Sequence, residues 1–242
     1  MNRQGLVSLS ALDTQRWGVV SAKASAVTAA NLPRVLAFCR EHAVRFLVAR
    51  CAAAELSGAQ AMEREGFQLM DTLIYYARGL GALLPQDSGN VTVREFAAGE
   101  EADIGRVARQ SFAGYIGHYH ADPRLDDGKC DEAYVDWAER CCRSKEFADS
   151  VLVAIMGAQI VGFVAIRVSS TEGEVALFAV APQLQRRGIG RSLMLSAMQW
   201  CKAQGKARVL ISTQIQNLAS QKIWTRLGFE PSSAYYTFHK WF

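Results

Sequence analysis

The sequence contains no Cys-x-x-Cys pair, only four histidines, and no run of like charges. Each absence excludes a class. The six cysteines include the adjacent pair Cys141-Cys142, a spacing that suits neither a zinc knuckle nor an easy disulfide, so they read as small buried thiols of a cytoplasmic, reducing environment. Four histidines without carboxylates at ligand spacing argue against a metal site. No apolar stretch reaches the ~18 residues that a membrane span needs, and 1–10 lacks the apolar core of a signal peptide, so no membrane partner is expected. A net charge of +4 fits anionic ligands but is far from a nucleic-acid platform, and no low-complexity tract suggests a disordered tail.

Half of the 242 residues are hydrophobic, enough for one large domain or two small ones. The most informative stretch is Gln185-Arg186-Arg187-Gly188-Ile189-Gly190, set between an apolar strand (Glu174 to Val180) and a periodic helix (Arg191 to Gln204). A strand feeding a glycine turn that opens a helix aims unpaired backbone N–H groups at one anion, and the helix dipole adds positive potential there. Arg186, Arg187 and Arg191 supply mobile charge, so the site suits a pyrophosphate. The hexad lacks the Lys-Ser/Thr of a Walker loop and the third glycine of a dinucleotide fingerprint.

The pattern Gln/Arg-x-x-Gly-x-Gly after an apolar strand resembles the acetyl-CoA loop of the GNAT N-acetyltransferases. The downstream chain extends the resemblance: a strand over Ala207 to Ser212, an Asn217-capped helix over Leu218 to Leu227, Gly228-Phe229, and closing strands over Ala234 to Phe238. Upstream come a strand (Val91 to Phe96), helices over Glu101 to Phe112 and Asp131 to Arg143, and a hairpin of Val151 to Met156 with Ile160 to Val168. The fold expected is α/β (α+β): a mixed central sheet flanked by helices. The N-terminal segment echoes the second half of that order. Val44-Arg45-Phe46-Leu47-Val48 resembles Ala207-Arg208-Val209-Leu210-Ile211, and each is followed by a Gly-Phe (66–67, 228–229) and a Tyr-Tyr pair (75–76, 235–236). This predicts a small α/β domain over 1–84 resembling a partial GNAT half, a linker over Gly79 to Gly89, and an acetyltransferase domain over 90–242. Within the family the whole chain is similar to enzymes that N-acetylate a nucleotide-linked (dTDP) amino-deoxy sugar, a likeness carried by Arg16-Trp17-Gly18-Val19, Thr213-Gln214 and Ala234-Tyr235-Tyr236.

The resemblance implies acetyl-CoA as cofactor and direct acetyl transfer to an amine in a ternary complex. It places the cofactor on Phe178, Ala179 and Val180, whose backbone would hold the pantetheine and polarise the thioester, and on 185–191, Asn217 and position 224. Many members carry a tyrosine acid where this chain has Trp224, which implies a wall or hydrogen-bond donor, with water or Tyr236 supplying the proton. For the acceptor, the segment Tyr115 to Leu125 is rich in aromatic and ionisable residues. His118 and His120, facing one way in an extended segment, are candidate bases. Tyr115 and Tyr119 are candidates for stacking on substrate and Arg124 for a phosphate. Glu174 is a further candidate base, with Glu172 beside it. The alternatives left open are another small amine acceptor, such as an amino acid or antibiotic, and a non-catalytic acyl-CoA-binding module. A homodimer is neither required nor excluded.

Overall fold

The computed structural model describes residues 5–87, 89 and 91–242; residues 1–4, and Ser88 and Asn90 at the expected linker and boundary, lie outside the described residues. The N-terminal unit runs β1 (Val7–Leu9), α1 (Ala11–Trp17), β2 (Ser21–Ala24), α2 (Leu32–Glu41), β3 (Phe46–Ala52), α3 (Leu56–Arg64) and β4 (Gln68–Gly79). The second unit runs β5 (Thr92–Glu95), α4 (Glu101–Phe112), α5 (Asp127–Arg143), β6 (Ser150–Met156), β7 (Gln159–Val168), β8 (Glu172–Val180), α6 (Ile189–Ala203), β9 (Arg208–Gln214), α7 (Leu218–Arg226) and β10 (Glu230–Trp241). Local signals explain most boundaries. Asp126 accepts from the Lys129 N–H and caps α5, which therefore starts four residues before the expected Asp131. Gly157, at φ +62°, closes the β6–β7 hairpin. The expected closing strand pair is instead the single long β10.

All ten strands form one mixed sheet in the order β1-β2-β3-β10-β4-β9-β8-β7-β6-β5. Helices α6 and α7 pack on one face with Trp224, Phe229 and Leu193, and α2 and α3 continue that layer over Leu47, Met62 and Phe238. Helices α4 and α5 cover the other face through Ile104, Val107, Val135 and Phe163. On that same face, Trp17 and Val19 join Phe46, Tyr119 and Leu125. Among the described residues no helix is long and apolar enough to cross a membrane, and no group of three or more His, Cys, Asp or Glu is placed to hold a metal. All six cysteines are unbridged, and burial pushes their thiols up, Cys130 to about 12.

The internal echo is a structural repeat. Displaced by 162 positions, β3, α3 and β4 become β9, α7 and β10 residue for residue, and Gly66-Phe67 becomes Gly228-Phe229. Both glycines adopt positive φ, +78° and +76°, as the left-handed turn after each helix requires. The in-phase partner of Arg208 is Phe46. The Arg45–Arg208 match suggested by the sequence is off by one, which in a strand would exchange the two faces.

The repeats exchange their last strands. β10 lies between β3 and β4 of the N-terminal unit, pairing Tyr235 with Ala52 on one side and with Leu73 on the other. β4 in turn pairs with β9, Leu73 opposite Gln214. Leu73 and Tyr235 are equivalent positions that pair with each other, so a pseudo-twofold axis passes through the β4–β10 ladder.

Residues 90–242 expressed alone should therefore fail to give a cooperative thermal transition by circular dichroism. In that fragment β10 loses both neighbours and β9 loses one edge. A fragment that melts cooperatively as a monomer would show the exchange to be dispensable.

Candidate active site

β8 and β9 pair in parallel only from Glu172 opposite Arg208 to Val175 opposite Ile211. Beyond that point the strands diverge, so 176–180 and 212–214 make no ladder bonds to each other. The cause lies partly in β8. Its register against β7 shifts between Ala165 and Ile166, leaving Ala176 as an extra residue. The bulge turns Phe178 and Val180 toward α6 and sends Leu177 and Ala179 into the α4–α5 core. The result is a cleft along 176–180, where β8 has no ladder partner on its β9 side.

The 185–190 loop closes one end of this cleft at the start of α6. The Gln185 amide donates to the Val180 carbonyl at 3.2 Å, pinning the loop to the strand. Arg186 and Gly188 take left-handed φ of +63° and +83°, and Gly188 is the N-cap of α6. Around a Cβ placed on Gly188 there is nothing within 4 Å, whereas one on Gly190 would lie 3.1 Å from Phe178 Cζ. Gly188 therefore serves the turn, and Gly190 serves the packing of α6 on Phe178. Arg186 and Arg187 are exposed. Arg191 donates to the Gln86 carbonyl at 3.3 Å and is tied to the connecting segment. Ile189 is buried at the helix start.

Asn217 caps α7, accepting from the Ser220 N–H at 3.2 Å. Trp224 is core: 2% exposed, edge-on to Phe178 at 5.4 Å, and equivalent to the buried Met62 of the first repeat. Its indole N–H is buried without a partner.

The segment 113–126 differs from the expectation of an extended strip. Residues 118–121 form a turn, and the two histidines diverge. His118 Nδ1 meets His239 Nε2 at 2.9 Å, and His239 Nδ1 meets Asp122 at 2.8 Å. Burial, then the neighbouring His239 and Arg50, hold the His118 pKa well below the ordinary imidazole range. His120 pairs with Asp131 at 3.2 Å. Tyr119 is buried and its hydroxyl donates to Asp13 at 3.0 Å, so it has no face free for stacking on a ligand. The Arg124 guanidinium lies 5.8 Å from the centroid of the Trp241 ring, a surface contact. Tyr115 packs on Phe112 and Tyr134 with its hydroxyl toward Thr213 and Asn217; burial raises its pKa, against the pull of those two side chains. Tyr236 points into the α2–α3 core, opposite to Tyr235, and cannot deliver a proton to the cleft. Glu174 is half-buried on β8 and lies on the same face as Tyr75, whose pKa is raised by burial and by Glu174. Glu172 is taken up by a salt bridge to Arg208.

A cavity of about 120 Å³ opens on this face, lined by Gly5, Lys23, Ala24, Ser25, Val48, Arg50 and His118. A second, of about 180 Å³, lies at the far sheet edge beside Glu95 and Arg143, remote from the cleft. Arg50 and Asp71, which contribute to the first face from the N-terminal unit, are not flagged by any local motif; the one trace is that Arg50 is the single charge in β3 and Asp71 the single acid in β4.

The model of the acetyltransferase (GNAT) family matches residues 113–229. The dTDP-fucosamine acetyltransferase of Escherichia coli O6:H1 is 24% identical over 193 residues, 79% of this chain and 80% of that protein. A mycothiol acetyltransferase of Actinosynnema mirum is 30% identical over 157 residues, but the match spans about half of its length (48%). In fold, a GNAT N-acetyltransferase from Sphaerobacter thermophilus superposes with a TM-score of 0.68 at 15% identity, over 97% of this chain and 76% of that one. Residues 113–229 thus match the GNAT acetyltransferase family, whose acetyl donor is acetyl-CoA.

The residues present fit that donor. A left-handed glycine turn at a helix N-terminus and a strand pair that splays beyond Val175 meet the needs of a pyrophosphate followed by an amide-bearing arm. Gly188→Val should therefore weaken CoA binding by tenfold or more in calorimetry, because a branched residue at φ +83° costs ~1–2 kcal/mol and distorts the turn. Unchanged affinity would show that the anion is held elsewhere.

Proposed function

We propose that the protein N-acetylates the amino group of a nucleotide-linked, dTDP-type, amino-deoxy sugar by direct transfer. The observation that carries this reading is the cavity lined by Lys23, Arg50 and His118 on the face that Glu174 shares. Arg50 has an unpartnered Nε and suits an anionic part of the acceptor, while Lys23 is shared with Asp13 at 2.9 Å. The relative named for dTDP-fucosamine supports it, since its match extends over most of both chains. We also take 1–84 and 90–242 as the two units, the first serving as one wall of the acceptor site.

Acetyl-CoA supplies a thioester whose acyl carbon is open to attack by a neutral amine. This chain contributes positioning and proton traffic. The 185–190 loop and α6 N-terminus would hold the pyrophosphate, and the β8 backbone over 178–180 would align the arm and polarise the thioester carbonyl. Glu174, half-buried and without a salt-bridge partner among the described residues, takes the proton from the amine directly or through water. No tyrosine acid is needed. A thiol with a reference pKa of ~8.5 is a good leaving group, and water can protonate it.

Mass spectrometry of acetyl-CoA reactions against nucleotide-linked amino sugars, amino acids and antibiotic amines tests the substrate class; acetylation of only the latter two would overturn it. Trp224→Phe should retain turnover within a few-fold, because an indole N–H can donate a hydrogen bond but cannot act as an acid. A thousandfold loss with intact CoA affinity would assign the indole N–H a direct role.

A further inference from the structure

Among the described residues three carboxylates, Asp13, Asp71 and Asp122, lie almost wholly inside the protein, and two of them are fully used. Asp13 accepts from Ser10, from the Tyr119 hydroxyl and from Lys23. Asp122 accepts from His239, from the Trp241 indole and from the Arg124 N–H; against the burial that would raise it, these bonds hold its pKa at about 2. Asp71 is the exception. It is 7% exposed, yet neither carboxylate oxygen has a hydrogen-bond partner. Gln214 and Thr237, 6% and 0% exposed, lie beside it and lower its pKa as weak donors short of a full hydrogen bond, and their Oε1 and Oγ1 atoms are unpartnered too.

These groups converge because of the exchanged strands. Thr237 pairs with Asp71 on one side and with Arg50 on the other, so the three side chains share a sheet face. Gln214 ends β9 at the mouth of the β8–β9 cleft, and the following Ile215 N–H donates to the Thr72 carbonyl at 2.8 Å. The cluster thus sits one strand from the cleft, and Arg50 links it to the cation-lined cavity. A buried carboxylate without partners is costly, and native proteins keep such groups where a ligand completes them.

We propose that Asp71, Gln214 and Thr237 form the subsite that binds the acceptor's ammonium group. An ammonium carries three N–H donors and no acceptor, and the cluster offers a carboxylate, an amide oxygen and a hydroxyl oxygen, none of them held by a full hydrogen bond within the protein. The subsite selects an amine over a hydroxyl at the same position and delivers it to the cleft, where it loses its proton before attack. Arg50, with its free Nε, is placed to bind an oxygen of the same ligand. This rests on the acetyltransferase reading above and deepens it. Burial, partly offset by Thr237, Arg50 and Gln214, raises the Asp71 pKa, as expected of a site awaiting a cation. The titratable groups facing Asp71 are Arg50 of β3, His239 of β10, Tyr115 after α4 and Tyr134 of α5.

The test uses the full chain with acetyl-CoA and whichever panel amine the wild type acetylates. Asp71→Asn should raise the acceptor KM at least tenfold while acetyl-CoA KM and calorimetric CoA affinity stay within twofold. Thr237→Val should raise the acceptor KM several-fold in the same pattern, and it carries the test if Asp71→Asn fails to fold. A second readout is stability. Because the folded pKa is raised, ionised Asp71 destabilises the empty protein above that pKa, and stability returns as pH falls through it toward the ordinary carboxylate range. Asp71→Asn should thus melt above the wild type at pH 8, with the gain shrinking toward pH 4. Unchanged acceptor KM in a folded variant would overturn the proposal. If the wild type acetylates nothing in the panel, the functional reading falls instead, and the melting curves decide on Asp71: a variant no more stable than wild type at pH 8 would show a carboxylate that has its partners and needs no ligand.

Discussion

The ladder between β10 and its two neighbours is the constraint on which the rest of the structure depends. β10 closes the second repeat, yet both of its edges are satisfied by the first, β3 and β4. One continuous sheet results, and the two hydrophobic layers on the α6 face become a single wall. The same exchange brings Arg50, Asp71 and Thr237 onto one surface next to the end of β9. The ladder joins residues such as Phe46 and Trp241, which are almost the whole chain apart. Its loop-closure entropy must be met before any of this core forms, so folding should be slow for a protein of this size.

What was legible in the sequence is what a short stretch of backbone demands for itself. The 185–190 loop needs glycine at φ +83°, Asn217 caps its own helix, and Gly66 and Gly228 end theirs in left-handed turns. The acceptor side was less legible because its geometry is set by partners far along the chain. Alternation in the sequence puts His118 and His120 on one side, but the segment turns there, and Asp122 reaches His239 and Trp241 on the last strand. Tyr119 reads as a ligand-facing aromatic until Asp13, more than a hundred residues earlier, claims its hydroxyl. Asp71 is hidden for the converse reason: an acid within a strand signals nothing until its lack of partners is known. The repeat itself is visible in the sequence, but hydrophobic resemblance sets its first strands one residue out of phase with the Gly66-Phe67 and Gly228-Phe229 turns.

The two repeats have the same skeleton but divide the chemistry between them. In the first, the start of α2 uses its polar groups internally: Asn31 accepts from the Thr28 N–H at 2.8 Å, Thr28 bonds back to the Asn31 N–H, and Pro33 sits within the first turn. That helix start has its needs met by its own residues and has no glycine turn of the α6 kind. In the second, α6 begins on Gly188 with no side-chain cap, so its first N–H groups stay available to an anion. Met62 of one repeat and Trp224 of the other are equivalent core residues under their strands, and the indole packs edge-on against Phe178 of β8. The first repeat, freed from binding the donor, contributes instead the strands that carry Arg50 and Asp71. Duplication followed by strand exchange thus yields one donor site and one acceptor wall from a single architecture, because equivalent strands end on opposite sides of the same axis.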